Sequence, residues 1–168
     1  MKIRGDISLR GDKSISHRAL IIASICTGRS FIRNLPNSND VESTARCLQE
    51  TGIEFSVTDR TTEIKGGTFT SPHRGLNCRN SGTTLRLLAG LYSSLKIPVQ
   101  LIGDSSLNRR PMDRIIAPLS KMGVDIESNE SRSPIRLKGF NLKPVHYEID
   151  VPSAQVKSCL LLAALGEC

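Results

Sequence analysis

The stretch GDKSISHRAL, Gly11 to Leu20, sets a lysine, two serines, a histidine and an arginine directly before the apolar run ALIIASIC. That run reads as a buried helix, so Lys13, Ser14 and Arg18 fall where the first backbone N–H groups have no intrahelical partners. Such a combination suits anions. The helix end contributes partial positive charge, lysine a mobile point charge, and arginine a planar fork that matches phosphate or carboxylate. Two later stretches repeat the arrangement at near-equal intervals: Arg86 in GTTLRLLAGL and Lys157 in SAQVKSCLLLAAL each stand one turn into an apolar helix. A small or hydroxyl residue, Ser14, Gly82 or Ser153, precedes each cation by four positions. The glycines of RNSGTTLR and GDSSLNRRP let the backbone come close to a ligand beside Asn80 and Arg110. Taken singly, Ser14, Asn80 and Ser153 fit plain helix caps, and the cations fit a solvated surface. Threefold recurrence favours a shared task. His17, His73 and His146 are assigned no chemistry, and neither a Walker loop nor a Gly-x-Gly-x-x-Gly fingerprint is present.

The elements that must carry these residues also repeat. In NDVESTARCLQETG, Val41, Thr44, Ala45 and Leu48 share a helical face, with Asn39 and Glu42 as a capping box and Gly52 as the stop. Met112, Ile115, Ile116 and Leu119 do the same in RRPMDRIIAPLSKMG, with Pro111 suited to the first turn, Pro118 bending the helix and Gly123 ending it. Each glycine is followed by two short strands, IEFSVTDRTTEIKGG and VDIESNESRSPIRLKGF, while SFIRNL and PVQLIG supply a strand between the helices. The expected fold class is α/β (α+β), built of β-α-β-α-β-β units in cyclic order that pack with pseudo-threefold symmetry. Unit one is expected to span about 13–67, unit two about 68–140, and unit three 141–168, which enters its apolar helix at Val156 and is expected to lack its second helix and strands at Cys168.

Composition narrows the partners. The chain has 168 residues, 38% hydrophobic and 23% charged, as in a globular protein. Its longest apolar run falls far short of the roughly 20 residues that span a membrane, and its N-terminus lacks the pattern of a signal peptide. These features predict a cytoplasmic chain without a membrane partner. A net charge of +7 favours anionic partners, yet aromatics make up only 4% with no tryptophan, and the basic residues are scattered instead of forming a stripe. A small, multiply charged anion therefore fits better than nucleic acid. Cys26, Cys47, Cys78, Cys159 and Cys168 show no metal-ligand spacing, so no metal is expected, and Cys26, Cys47 and Cys159 read as small buried hydrophobes in helices.

GDKSISHRAL, RNSGTTLRLL, GDSSLNRRPM and VPSAQVKSCLLLA, in this order and across nearly the whole chain, resemble the N-terminal part of the 5-enolpyruvylshikimate-3-phosphate synthase family, the 3-phosphoshikimate 1-carboxyvinyltransferases. The resemblance implies transfer of the enolpyruvyl group of phosphoenolpyruvate to the 5-hydroxyl of shikimate 3-phosphate, on the route to chorismate and aromatic amino acids. It implies a monomer that uses no cofactor. Lys13, Ser14, Arg18, Ser153 and Gln155 would then hold shikimate 3-phosphate, and Lys13, Asn80, Gly82, Arg110 and Gln155 would hold phosphoenolpyruvate, with Arg86 supporting them. Ser81 stands where many members have alanine, which would alter pocket width, and Ala154 where some have a second serine. Members of the family have two lobes. Residues 1–12, with an opening strand around Ile3 to Leu9, would belong to the other lobe and 13–168 to the N-terminal one. The family's acid–base groups come from the second half, so no catalytic residue is expected here and this piece alone is expected to be inactive. Competing readings are the sister transferase acting on UDP-N-acetylglucosamine, whose opening motif has Lys-Asn instead of Lys13-Ser14, and a basic nucleic-acid-binding domain.

Overall fold

The computed structural model describes residues 4–7 and 9–167. Helix α1 (Lys13–Ile25) leads through β1 (Gly28–Arg33) to α2 (Asn39–Gln49), then β2 (Glu54–Thr58) and β3 (Thr61–Gly66). The next passage runs β4 (Leu76–Asn77), α3 (Gly82–Ser94), β5 (Val99–Ile102), a 3-10 turn (Leu107–Arg109), α4 (Asp113–Lys121), β6 (Val124–Asn129) and β7 (Arg132–Phe140). A long irregular segment precedes α5 (Ala154–Ala164) and a closing 3-10 turn (Leu165–Glu167). The two sheets have orders β1-β3-β2 and β4-β5-β7-β6. Because β5-β7-β6 repeats the antiparallel pairing of β1-β3-β2, the two passages share one plan. The second adds β4, parallel to β5, a two-residue strand too short to leave a pattern in the sequence.

The helices start where short polar side chains replace missing partners. The Asp12 carboxylate accepts from the Ile15 N–H at 2.8 Å. The Ser81 hydroxyl accepts from the Thr84 N–H at 3.2 Å, and the Ser153 hydroxyl from the Val156 N–H at 3.4 Å. Of the three residues that fitted caps by sequence, only Ser153 is one. Ser14 lies inside α1, and Asn80 precedes the cap. The Asn39–Glu42 capping box does not form either: Ser38 is the N-cap of α2, without a side-chain bond, and the Glu42 carboxylate instead faces Arg79 and Arg46. Pro111 lies one residue ahead of the α4 N-cap, Met112, and Pro118 sits buried inside that helix. Gly52 and Gly123 follow α2 and α4 at matching positions, both with φ +97°.

Leu20, Leu48, Ile64, Leu88, Tyr92 and Leu101 are wholly buried in one core that joins both sheets to the helices. The Tyr92 hydroxyl meets Thr51 Oγ1 at 3.0 Å, which satisfies the polar end of a buried ring. Helices α3 and α5 touch at backbone level, since a Cβ on Gly90 would collide with the Cys159 carbonyl oxygen. The contact draws α5 along α3 from Gln155 beside Thr83 at one end to Gly166 beside Ser94 at the other, so the two helices run parallel. Arg18 meets Ala154 and Ser158, which places the first turns of α1 and α5 side by side as well.

One expectation changes. Cys26 is exposed at the C-cap of α1, because the helix ends at Ile25; Cys47, Cys78 and Cys159 are buried. Hydrogen bonding to Cys47 and then burial push the Cys78 thiol up, and burial pushes Cys159 up to about 12, so these thiols stay protonated and unreactive. The opening strand around Ile3 to Leu9 falls partly on Ile3 and Ser8, outside the described residues. The described residues 4–7 and 9–12 form no strand, and Ile7 and Leu9 are exposed. No helix of the described residues is long and apolar enough to cross a membrane.

Candidate functional site

The N-termini of α1, α3 and α5 open on one cleft of about 700 Å³, which Ser14, Arg18, Thr83, Arg86, Ser153 and Gln155 line. Each helix brings its N-terminal N–H groups and its first-turn side chains to the same space, so the partial charges of three macrodipoles add where they meet.

Two arginines brace the cleft. Arg18 Nε and Nη2 donate to Ser158 Oγ at 3.1 and 2.8 Å, Nη2 also to the Ala154 carbonyl at 3.2 Å, and Nη1 to the Ser14 carbonyl at 2.9 Å. A guanidinium has five N–H donors, so one Nη1 N–H stays available to a ligand. Ser158 passes its own proton to the Ala154 carbonyl at 2.7 Å, which leaves its lone pairs for Arg18. On the other side, Arg86 Nη1 donates to Gln155 Oε1 at 3.0 Å, while Gln155 Nε2 donates to Thr83 Oγ1 at 2.9 Å. This pair of bonds fixes which way the Gln155 amide faces. Arg86 also reaches the Pro111 carbonyl at 3.3 Å.

Burial first, and then the charges of Arg110 and Arg114, pull the Arg86 pKa below the ordinary guanidinium value. Three cations thus gather at the start of α3. A Cβ on Gly82 would stand 2.7 Å from Arg86 Nη1 and 3.7 Å from Arg110 Nη1. Glycine therefore leaves those two guanidiniums room beside the backbone.

Ser14, Arg18, Arg86, Ser153 and Gln155 lie together on the cleft, whereas Lys13, Asn80, Gly82 and Arg110 do not line it. Gly82 and Arg110 sit immediately behind Arg86. Asn80 is exposed in the turn before the Ser81 cap. The Lys13 ammonium is bound to Asp40 of α2 at 2.7 Å, with both side chains partly exposed. A pair of this kind contributes about 0–1 kcal/mol, so an anion can redirect Lys13 at little cost.

Sequence reasoning missed Thr83, Ser158 and Arg114 as cleft residues. Ser158, one turn beyond Ala154, carried the signal of a hydroxyl on the same helical face. Ser81 does not line this cleft: it is buried, and its hydroxyl accepts from Thr84 within the protein. Lys157, the third member of the repeated set, is exposed on the cleft wall and not half-buried like Arg18 and Arg86. His17, assigned no chemistry by sequence, is wholly buried between α1 and α2. Among the described residues, no group of three or more His, Cys, Asp or Glu side chains could hold a metal ion.

The sequence matches the family described as EPSP synthase (3-phosphoshikimate 1-carboxyvinyltransferase) over residues 1–167. The chain belongs to the EPSP synthase family. It is 44% identical over 169 aligned positions to the 3-phosphoshikimate 1-carboxyvinyltransferase of Syntrophomonas wolfei, with 98% of this chain and 40% of that protein aligned. It is 43% identical to the enzyme of the same name from Streptococcus pyogenes serotype M4, with 97% and 40% aligned. The solved EPSP synthase of Acinetobacter baumannii superposes with a TM-score of 0.89 at 33% identity, over 95% of this chain and 38% of that one. The mixed α/β fold is thus that of EPSP synthase. The chain spans about 40% of the length of the curated relatives it matches.

Proposed function

We propose that this cleft is the binding half of an EPSP synthase active site, with shikimate 3-phosphate held between α1 and α5 and phosphoenolpyruvate at the start of α3. In the transfer, the 5-hydroxyl oxygen of shikimate 3-phosphate bonds to C2 of phosphoenolpyruvate, the C2–O bond to phosphate breaks, and inorganic phosphate leaves. Lys13, Ser14, Arg18, Ser153 and Gln155 receive shikimate 3-phosphate. Lys13, Asn80, Gly82, Arg110 and Gln155 receive phosphoenolpyruvate, and Arg86 holds Gln155 between the two. These groups bind and orient; the acid and base that move protons come from elsewhere in the complete enzyme.

One observation carries the reading: three helix N-termini with Arg18 and Arg86 converge on a single cleft. Preorganised donors and cations of this kind stabilise charge on phosphoryl and carboxylate groups without reorganising as the reaction proceeds. Residues 13–168 are assigned to one lobe and 1–12 to the passage from the other. The same reading has the enzyme work as a cytoplasmic monomer without cofactor, nucleic acid or membrane.

Titrating shikimate 3-phosphate into the ¹⁵N-labelled chain is expected to move the amide signals of Ser14, Arg18, Ala154 and Gln155. The full-length chain given both substrates is expected to release inorganic phosphate. No release with that pair would reject the assignment, and retention of random oligonucleotide at moderate salt would favour a nucleic-acid ligand.

A further inference from the structure

A line of hydrogen bonds runs under the cleft through three helices. His17 Nδ1 of α1 meets Thr44 Oγ1 of α2 at 2.7 Å, and Thr44 Oγ1 meets Thr84 Oγ1 of α3 at 2.8 Å. Thr84 Oγ1 in turn lies 2.8 Å from Ser81 Oγ, the cap of α3, and 3.1 Å from the Asp40 carbonyl. All four side chains are buried, Ser81 at 1% exposure and the others at 0%.

The proton inventory gives this line a direction. Thr84 has one hydroxyl proton, and with that proton on the Asp40 carbonyl or Ser81 Oγ it accepts from Thr44. Thr44 has no second proton, so in this arrangement His17 donates to it from Nδ1. The opposite arrangement would leave a buried Nε2–H without an acceptor, because His17 Nε2 has no hydrogen-bond partner among the described residues. Orphaned buried donors are rarer than orphaned acceptors, so the same tautomer follows from a second line of reasoning.

We propose that His17 is a positioning residue, fixed as the Nδ1–H tautomer, whose relay through Thr44 and Thr84 to Ser81 holds α1, α2 and the start of α3 in one register beneath the cleft. Lys13, Ser14 and Arg18 flank His17 on α1, Asp40 on α2 binds Lys13, and Ser81 directly precedes Gly82. The relay thus ties the two sides of the cleft together without touching a ligand. Its bearing on substrate binding rests on the function proposed above, whereas the tautomer and the coupling do not.

Neutral imidazole is required, since a protonated ring would place a second N–H where no acceptor stands among the described residues. Burial lowers the His17 pKa to about 4. Among the charged groups around it, Asp40 on α2 opposes this, while Lys13 and Arg18 on its own helix reinforce it.

Long-range ¹H–¹⁵N correlation on the full-length protein near pH 7 is expected to show His17 with a protonated Nδ1 and a bare Nε2. In Thr44→Val this signature is expected to be lost and the amides of Gly82, Thr83 and Thr84 to shift, with the KM for shikimate 3-phosphate rising severalfold more than kcat falls. Thr44→Ser, which keeps the hydroxyl, is expected to restore all three. An Nε2–H tautomer, or α3 amides that stay put in Thr44→Val, would overturn the relay. An intact signature and coupling in a protein that does not bind shikimate 3-phosphate would leave the relay standing and reject the proposed function instead.

Discussion

Arg18 commits four of its hydrogen bonds to Ser158, Ala154 and Ser14, and this makes it a cation of fixed aim and not a flexible surface charge. Ser158 accepts two of those bonds. Ser158→Ala is therefore expected to leave the fold intact and weaken shikimate 3-phosphate binding by about tenfold, near 1.4 kcal/mol, as read by calorimetric titration. Asp40 has the opposite effect, because its carboxylate competes with any anion for Lys13. Asp40→Asn keeps the backbone carbonyl that Thr84 uses and removes the competing charge. Binding is expected to tighten by about one- to fivefold, the range of a surface ion pair, and the gain should shrink as salt is raised.

At the scale of elements, the cleft exists because α3 and α5 lie close enough for Gln155 to bridge Arg86 and Thr83. Gly90 permits that approach, and its Cβ would meet the Cys159 carbonyl oxygen. Gly90→Ala is expected to destabilise the fold by about 1–3 kcal/mol through overpacking, despite alanine's better helix propensity. A thermal melt that rose instead would show that the helices can separate freely. Caps act at the same scale: Ser81 and Ser153 each start a helix whose first turn borders the cleft, and Ser81 also terminates the buried relay.

For the whole molecule, the buried imidazole links stability to pH. The ordinary histidine value is 6.5, and burial lowers that of His17 to about 4. Above pH 6.5 the ring is neutral folded or unfolded, so the full stability is present. As pH falls from 6.5 toward 4 the unfolded chain takes up a proton that the folded chain refuses, and stability is lost. The loss levels off below the folded value and is on the order of a few kcal/mol. Denaturant midpoints measured from pH 7 to 4 are expected to fall for the native chain and to fall less in His17→Asn, which cannot titrate. Equal slopes would place the acid sensitivity elsewhere. The net charge of +7 adds a further expectation: affinity for a multiply charged substrate should drop with ionic strength.

Local patterns determined much of this protein. Repeated helix starts, paired glycines and alternating strands are written in neighbouring residues, because helix periodicity, turn conformation and strand alternation depend on short stretches of chain. Ser14, Arg18, Arg86 and Ser153 were legible for that reason, whereas Gln155 entered only with the family motifs, which tied all five to one chemistry. Other features depended on contacts between residues far apart. Ser158 became a brace only when Arg18 met it from 140 positions away, Lys13 found Asp40 27 positions on, and Ser81 turned inward to Thr84 instead of toward the cleft. His17 looked like any polar residue at a helix start until two other helices closed over it. Burial and hydrogen-bond partnership are properties of the packed assembly, so the tertiary structure alone decided which polar groups face a ligand and which hold the framework beneath it.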